Sequence, residues 1–315
     1  MKDKMMEWIF LLVTTLLVPC FITVLIAGTE NRQEERKSGI TLEYENGQKV
    51  DMEDFLPYVI AGEISLDCEK ETLKAQAVIA RTNLMRELNG KKEEKVSELT
   101  LNYLTPEKFE ASLGQKTREN ILNKLKKAVN DTCGKVITYE NTYIEALYHQ
   151  VSIGTTISAE EMFGKARPYL VSVSSSQDVE SEEYMTIKEV TVQDAWKDLQ
   201  NENIGKSLTE DALLQAIKVE DKTESGYVKQ VTIGTEKVSG DQWKEIFGLN
   251  STNFYLEEYN GNLRMIVLGK GHGIGLSQYG ANKMAKENRS YQEILKYYYP
   301  GTEIKTIEEI ALQHV

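Results

Sequence analysis

Gly269-Lys-Gly-His-Gly-Ile-Gly-Leu-Ser-Gln-Tyr-Gly-Ala281 is the stretch on which the reading of this chain turns. Its glycines at 269, 271, 273, 275 and 280 permit backbone conformations closed to other residues and let the chain pass close to a ligand. Between them stand His272, Ser277, Gln278 and Tyr279, four side chains able to hydrogen-bond. A run that is half glycine and half polar cannot fill a core, so it reads as a loop opening into a helix, with a surface meant to be touched. The plainer alternative, a tight turn with solvated polar residues, suits a lone Gly-x-Gly better than a run this dense. Nucleotide binding does not fit. There is no Gly-x-x-x-x-Gly-Lys-Ser/Thr, and the third glycine of the dinucleotide spacing is missing.

Outward from this run the chain alternates between strand-like and helix-like segments. After it, Tyr291–Tyr299 reads as a helix stopped by Pro300-Gly301. Before it, Asn262–Leu268 and Tyr227–Ile233 read as strands, with a short capped helix over Val238–Phe247. Val190–Ile217 has the period of an amphipathic helix, and Pro168–Ser175 reads as a strand giving way to an acidic loop. Lys135–Tyr139 and Tyr143–His149 are further strands, turning at Asn141-Thr142. Residues 91–132 are charged and helical in character, interrupted at Thr105-Pro106. The strongest helix is Glu69–Asn89, with Leu73, Ala77, Ala80 and Leu84 on one stripe and Asn89-Gly90 as its stop. Pro57 suits a first helical position, so a short helix through Tyr58–Glu63 is expected, after a strand at Ile40–Tyr44. The fold class is therefore α+β: mixed helices and strands forming a core with a substrate cleft. A smaller additional lobe is expected from parts of 91–132 and 186–245.

Composition and the first residues set the class and compartment. The net charge of −12 and the lack of a basic stripe exclude a nucleic-acid partner. Three cysteines, at 20, 68 and 133, are too few for a disulfide-dense scaffold; one Cys68–Cys133 bridge is possible, two separate thiols the default. From Trp8 to Gly28 no residue is charged. About 21 residues at about 1.5 Å each reach roughly 31 Å, enough to cross a hydrocarbon core and longer than the apolar part of a cleaved signal. The expected layout is a cytoplasmic N-terminus (1–7), a transmembrane anchor (8–28), a charged linker (29–39) and an extracytoplasmic body (40–315).

Three kinds of chemistry compete. With only His149, His272 and His314, and no H-E-x-x-H or C-x-x-C, metal catalysis lacks a ligand set. Cys133 with His149 or His272 would be raw material for a nucleophile pair, but nothing local resembles a nucleophile elbow, and small buried thiols are the better reading. Glu63 follows the uncharged Tyr58-Val-Ile-Ala-Gly62, a setting that disfavours its charged form and raises its pKa into the range of a general acid. Composition alone would favour a solvated helix-surface carboxylate there, with Lys74 and Arg81 as solvated face.

Here a resemblance enters. Tyr58-Val-Ile-Ala-Gly-Glu-Ile64 and Leu73-Lys-Ala-Gln-Ala-Val-Ile-Ala-Arg-Thr82 resemble the opening signature of the stage II sporulation protein D (SpoIID/LytB) family. Ala146-Leu-Tyr-His-Gln-Val-Ser152 resembles its Tyr/Phe-His-Ser-x-Ser segment, and Pro168-Tyr-Leu-Val-Ser-Val its middle strand. The glycine run and Ser290-Tyr-Gln-Glu-Ile-Leu-Lys-Tyr-Tyr-Tyr-Pro-Gly-Thr302 resemble its closing signature, in order from about residue 40 to 305. The resemblance implies a peptidoglycan lytic transglycosylase acting on glycan strands stripped of stem peptides by a partner amidase. It also implies engulfment of the forespore, with membrane partner proteins of that machinery. It places the catalytic glutamate on Glu63, and cleft positions on Lys74, Arg81, Tyr148, His149, Ser152, His272, Ser277, Gln278 and Tyr279. No cofactor is expected, and no zinc, since residues 91–131 lack the Cys and His that some members use. Ser152-Ile-Gly154 departs from the family's Ser-Gly-Gly, which puts substrate fit there in doubt. The LytB side of the family implies a different activity, a glycan-binding modifier of a cell-wall amidase.

Overall fold

The long helix runs from Lys70 to Leu88 and ends at Asn89, whose left-handed backbone (φ 47°) sends its N–H back to the Met85 carbonyl. The computed structural model describes residues 37–112 and 114–312. The expected cytoplasmic segment and anchor, and most of the linker, lie outside the described residues. No helix among the described residues is long and apolar enough to cross a membrane.

The helix carries more than the single stripe its periodicity suggests. Leu73, Ala77, Ala80 and Leu84 pack into one cluster with Phe55, Val59 and Ile60 of the Met52–Glu63 helix. Ala75, Val78 and Ile79, on the opposite side, pack into a second cluster with Ile137, Ile274, Leu276 and Tyr299. A helix buried on two sides is a core element, and it holds the two clusters to one frame. Residues 91–132, expected to feed an extra lobe, supply Phe109, Leu125 and Val129 to the first cluster. A third cluster around Trp243, Phe247 and Phe254 lies within 185–268, the stretch containing the other expected lobe segment.

Small sheets surround these helices. The first has strand order Lys49–Asp51, Thr41–Glu43, Glu93–Lys95, with a parallel pairing between the last two. Glu303–Thr306 pairs antiparallel with Lys135–Tyr139, which pairs with Thr142–Tyr143. The third cluster is covered by two antiparallel sheets, one with Asn262–Leu268 between Phe254–Tyr259 and Met185–Thr191, the other with Val228–Ile233 between Glu236–Ser239 and Ile217–Lys222. Leu276–Ser277 pairs parallel with Tyr148–His149, and this two-stranded unit carries the site.

Several sequence expectations are corrected. The first helix begins at Met52, capped by the Asp51 carboxylate on the Glu53 N–H, so Pro57 lies inside it. Tyr143–His149 is not one strand but two short ones, Thr142–Tyr143 and Tyr148–His149. Pro168–Ser175 forms no regular strand. The Thr155, Thr156 and Ser172 hydroxyls bond the Val171, Val173 and Thr156 backbone there, competing with a ladder. Val190–Ile217 opens as the end of a strand, becomes helical from Val192 to Asn201, where the Thr191 hydroxyl caps the helix at the Asp194 N–H, and is helical again in the short turns Glu210–Ala212 and Leu213–Ala216.

One ion pair ties the first two helices together. Arg81, with no exposed surface, clamps Glu53 with Nε and Nη2 at 2.8 and 2.7 Å. Its remaining donors reach the Lys135 and Val129 carbonyls at 3.0 and 3.3 Å. Every guanidinium nitrogen is committed inside the core, so Arg81 is structural and presents nothing to a glycan. Lys74 is held by Glu71 at 2.8 Å and Asp131 at 3.3 Å, tied to its own helix and to Gln115–Asp131. Replacing Arg81 by Met would leave the Glu53 carboxylate buried and unpaired. Urea unfolding of Arg81→Met is expected to show a loss of about 3–5 kcal/mol. An unchanged midpoint with weakened glycan binding would return Arg81 to the cleft.

Candidate active site

Glu63 is the last residue of the Met52–Glu63 helix, and its side chain turns inward, 9% exposed. Gln76, on the facing side of the long helix, donates Nε2 to the Glu63 carboxylate at 2.9 Å. Tyr148 makes a further side-chain hydrogen bond to it. Gln278 donates to the Glu63 main-chain carbonyl at 2.9 Å and to Gln76 Oε1 at 3.3 Å. Residues 63 and 278, 215 apart in sequence, therefore share one hydrogen-bonded cluster.

The glycine run makes this meeting possible, though not by the expected route. Its backbone comes close to the protein's own chain at 147–151. Gly275 has φ 74°, and a Cβ there would lie 1.9 Å from the Leu147 carbonyl oxygen. Only glycine allows both the left-handed backbone and that approach. Leu276 N–H then bonds the Leu147 carbonyl at 3.0 Å, and Lys270 N–H the Val151 carbonyl at 2.7 Å. The run continues into the helix Gln278–Lys286, as its polar end suggested.

Burial dominates the electrostatics. Desolvation pushes the Glu63 carboxyl up to about 7, against the opposing pull of the Tyr148 and Gln76 hydrogen bonds. Burial and the nearby Glu63 charge also drive the Tyr148 phenol far up, so it stays a neutral donor. His149 is buried, with Nδ1 3.1 Å from the Ile274 carbonyl and Nε2 without a hydrogen-bond partner among the described residues. That contact puts the proton on Nδ1, and burial lowers the pKa to about 3, so the ring is neutral. His272 reaches solvent, yet partial loss of hydration and the nearby Lys244 charge lower its pKa to about 4. Its Nδ1 accepts the Ile274 N–H at 3.1 Å, and the two imidazoles lie 6.0 Å apart. Burial lifts the Cys68 thiol to about 11, far from a thiolate nucleophile, and no disulfide joins it to Cys133.

A cavity of about 450 Å³ adjoins this cluster, although Glu63 itself does not line it. Ile64 and Gln278, the chain neighbour and the hydrogen-bond partner of Glu63, are in its wall with Gln150, Tyr279, Lys270 and Lys286. The expected cleft residues thus divide. Glu63, Tyr148 and Gln278 are brought together, with Tyr279 in the adjoining wall. Ser152 and Ser277 are fully buried: the Ser277 hydroxyl donates to Asp178, whereas the Ser152 hydroxyl accepts the Gly154 N–H and its backbone N–H donates to Asp178, so internal contacts replace the expected substrate ones. Lys74 and Arg81 stand apart. Sequence reasoning missed Gln76, a polar residue on an apolar flank that only its Glu63 partner explains, and Asp178, which looked like one more acid in a loop. Among the described residues no group of three or more His, Cys, Asp or Glu is placed to hold a metal ion.

The fold and site define an α+β protein with one buried acid set against a glycine-supported wall. A family model described as stage II sporulation protein matches residues 42–139. Stage II sporulation protein D of Bacillus subtilis (strain 168) is 33% identical over 264 residues, 82% of this chain and 75% of that protein. The protein of the same name from Bacillus amyloliquefaciens is 30% identical over 276 residues, 85% of this chain and 78% of the relative. An amidase enhancer of Bacillus subtilis (strain 168) is 27% identical over 291 residues, 78% of this chain but 39% of that longer protein. The chain belongs to the stage II sporulation protein D family.

Since Gln76 stabilises the charged carboxylate, Gln76→Leu is expected to raise the Glu63 pKa above about 7. Titration of ¹³C-labelled glutamate carboxyls, with the Glu63 signal assigned by its loss in Glu63→Gln, measures this. A fall or no change would show that the amide does not tune the acid.

Proposed function

We propose that this chain is a lytic transglycosylase of peptidoglycan, acting on stem-peptide-free glycan during sporulation and tethered to the cell membrane by residues 8–28 with its body outside. Membership of the family supports the sporulation setting. The observation that carries the chemistry is the buried Glu63, with its pKa lifted to about 7, held by Tyr148 and Gln76 beside a cavity of about 450 Å³. Such a carboxyl is protonated in a useful fraction near neutrality and can both give and take a proton.

In the proposed reaction, protonated Glu63 gives its proton to the glycosidic oxygen between N-acetylmuramic acid and N-acetylglucosamine, and that C–O bond breaks. The Glu63 carboxylate then takes the proton of the muramic acid 6-hydroxyl as its oxygen bonds to the anomeric carbon. The product is a 1,6-anhydro ring, and Glu63 is protonated again. One residue serves both steps, whereas hydrolytic glycosidases place two carboxyl groups about the bond. The set around Glu63 suits this use: the Gln76 amide and the Tyr148 phenol, both neutral, hold the carboxyl, while Gln278 holds its main-chain carbonyl. The neutral His149 and His272 add no charge that would pull its proton away.

The amidase-enhancer relative favours a second reading, in which the same wall binds glycan and modifies a partner amidase. Stripped glycan incubated with the purified full chain, and its ends identified by mass, separates the two. Anhydro ends are expected from the wild type, and Glu63→Gln is expected to lose about 10²–10⁴ in rate while remaining folded. Ends carrying added water would turn the reading to hydrolysis, and no fragments without an amidase present would favour the modifier.

The sign of the pH dependence follows from the raised pKa. The acid form is required for the first step, so cleavage is expected to fall as pH rises through about 7. Folding follows the same direction. The folded state holds the proton more tightly than the unfolded chain, so Glu63 contributes fully below the ordinary glutamate value of 4.5 and that contribution is lost as pH rises through about 7. Glu63→Gln should remove this alkaline weakening, which thermal melts across pH 5–9 would reveal.

A further inference from the structure

Asp178 lies in the short 3₁₀ segment Ser176–Glu180 and has no exposed surface. One carboxylate oxygen accepts the Ser152 N–H at 2.6 Å and the Ser277 hydroxyl at 2.7 Å. The other accepts the Ser175 hydroxyl at 3.0 Å, and Ser175 is bonded to the Tyr298 phenol at 2.9 Å. Four separate parts of the chain converge on one charge: the segment after Tyr148–His149, the end of the glycine run, the segment 175–178 and the helix Tyr291–Tyr298.

A buried carboxylate is costly unless its oxygens are filled by donors, and here three donors are printed into the fold for it. The helix Gln278–Lys286 adds to this, because its N-terminus meets the carboxylate. Ser277 caps that helix at the Gly280 N–H, and a Cβ on Gly280 would lie 2.2 Å from the Tyr298 phenol oxygen, 2.3 Å from Ser175 Oγ and 3.0 Å from Asp178 Oδ1. The last glycine of the run is therefore required by the Asp178 cluster rather than by a ligand. Outside the buried cluster, Glu180 pairs with Lys283 at 2.6 Å and Gln177 with Glu287 at 3.0 Å, docking the whole segment along the same helix.

What Asp178 fixes is the wall that touches the acid. Ser277 immediately precedes Gln278, which bonds both Glu63 and Gln76, and its strand pairs with Tyr148, the other hydrogen-bond partner of Glu63. Resting on the reading of Glu63 as the acid, we propose that Asp178 is a positioning residue for the reaction: it touches no substrate and holds Tyr148 and Gln278 against Glu63 through Ser152 and Ser277. Its removal strands three buried donors, loosens the wall and admits water to the acid. Because desolvation is the largest influence on Glu63, entry of water moves the carboxyl back toward an ordinary glutamate.

The test compares Asp178→Ala, Asp178→Asn and Ser277→Ala in the full chain. Each is assayed for glycan cleavage, for thermal stability and for the ¹³C titration of the Glu63 carboxyl. Asp178→Ala and Ser277→Ala are expected to lower the Glu63 midpoint from about 7 and to reduce kcat by about 10²-fold with little change in KM. Asp178→Asn should restore both, because its amide oxygen keeps the Ser152 and Ser277 bonds while its NH₂ donates to Ser175. A folded Ala variant with unchanged midpoint and kcat would overturn the proposal. So would an Asn variant as impaired as Ala, since the bonds would be kept and the function lost. Should Asp178→Ala fail to fold, Ser277→Ala, which removes one donor only, decides. If the wild type cleaves no glycan, the reading of Glu63 as catalyst falls, while the titration still reports whether Asp178 holds the acid's surroundings.

Discussion

The close approach of the glycine run to residues 147–151 is the constraint on which the rest of the structure depends. Gly275 passes its backbone against the Leu147 carbonyl where any side chain would collide, and Gly271 does the same against His149. That approach lets Leu276–Ser277 form a parallel pair with Tyr148–His149, and the pair delivers Tyr148 and Gln278 to an acid near the start of the body. Without it the two ends of the chain would bury separate surfaces, and Glu63 would be a helix-end carboxylate in water.

The long helix supplies the opposing side. Buried on two flanks, it presents Gln76 to Glu63 and Arg81 to Glu53. The two buried carboxylates of the first helix thus receive opposite treatment. Glu53 meets a full positive charge and serves as an anchor. Glu63 meets one neutral amide and a phenol, which soften but do not cancel the effect of burial, so it holds its proton near neutrality. The buried or crowded His149 and His272 stay uncharged, and the acid's nearest hydrogen-bond partners carry no competing charge.

Sequence reasoning succeeded where a signal is local. Asn89-Gly90 ends the long helix because a left-handed residue is required there, and Asn262–Leu268 alternates as a half-buried strand does. It failed where side-chain hydroxyls or a cap redirected the backbone. Pro168–Ser175 has the composition of a strand, but the hydroxyls of Thr155, Thr156 and Ser172 bond the backbone there. Val190–Ile217 has a helical period, but pairing of Met185–Thr191 with Asn262–Leu268 and the Thr191 cap claim its start.

The same division runs through the site. A carboxyl after an uncharged stretch, a run of glycines and a polar helix start are visible in one dimension, because each is a property of adjacent residues. Whether a polar residue faces a cleft or another polar residue is not, since that depends on which partner arrives from far along the chain. Arg81 and Ser277 look like ligands for a sugar, yet Glu53 and Asp178 take their side-chain donors first. A buried donor must find an acceptor, and only the folded chain decides whether that acceptor belongs to the protein or to what it binds.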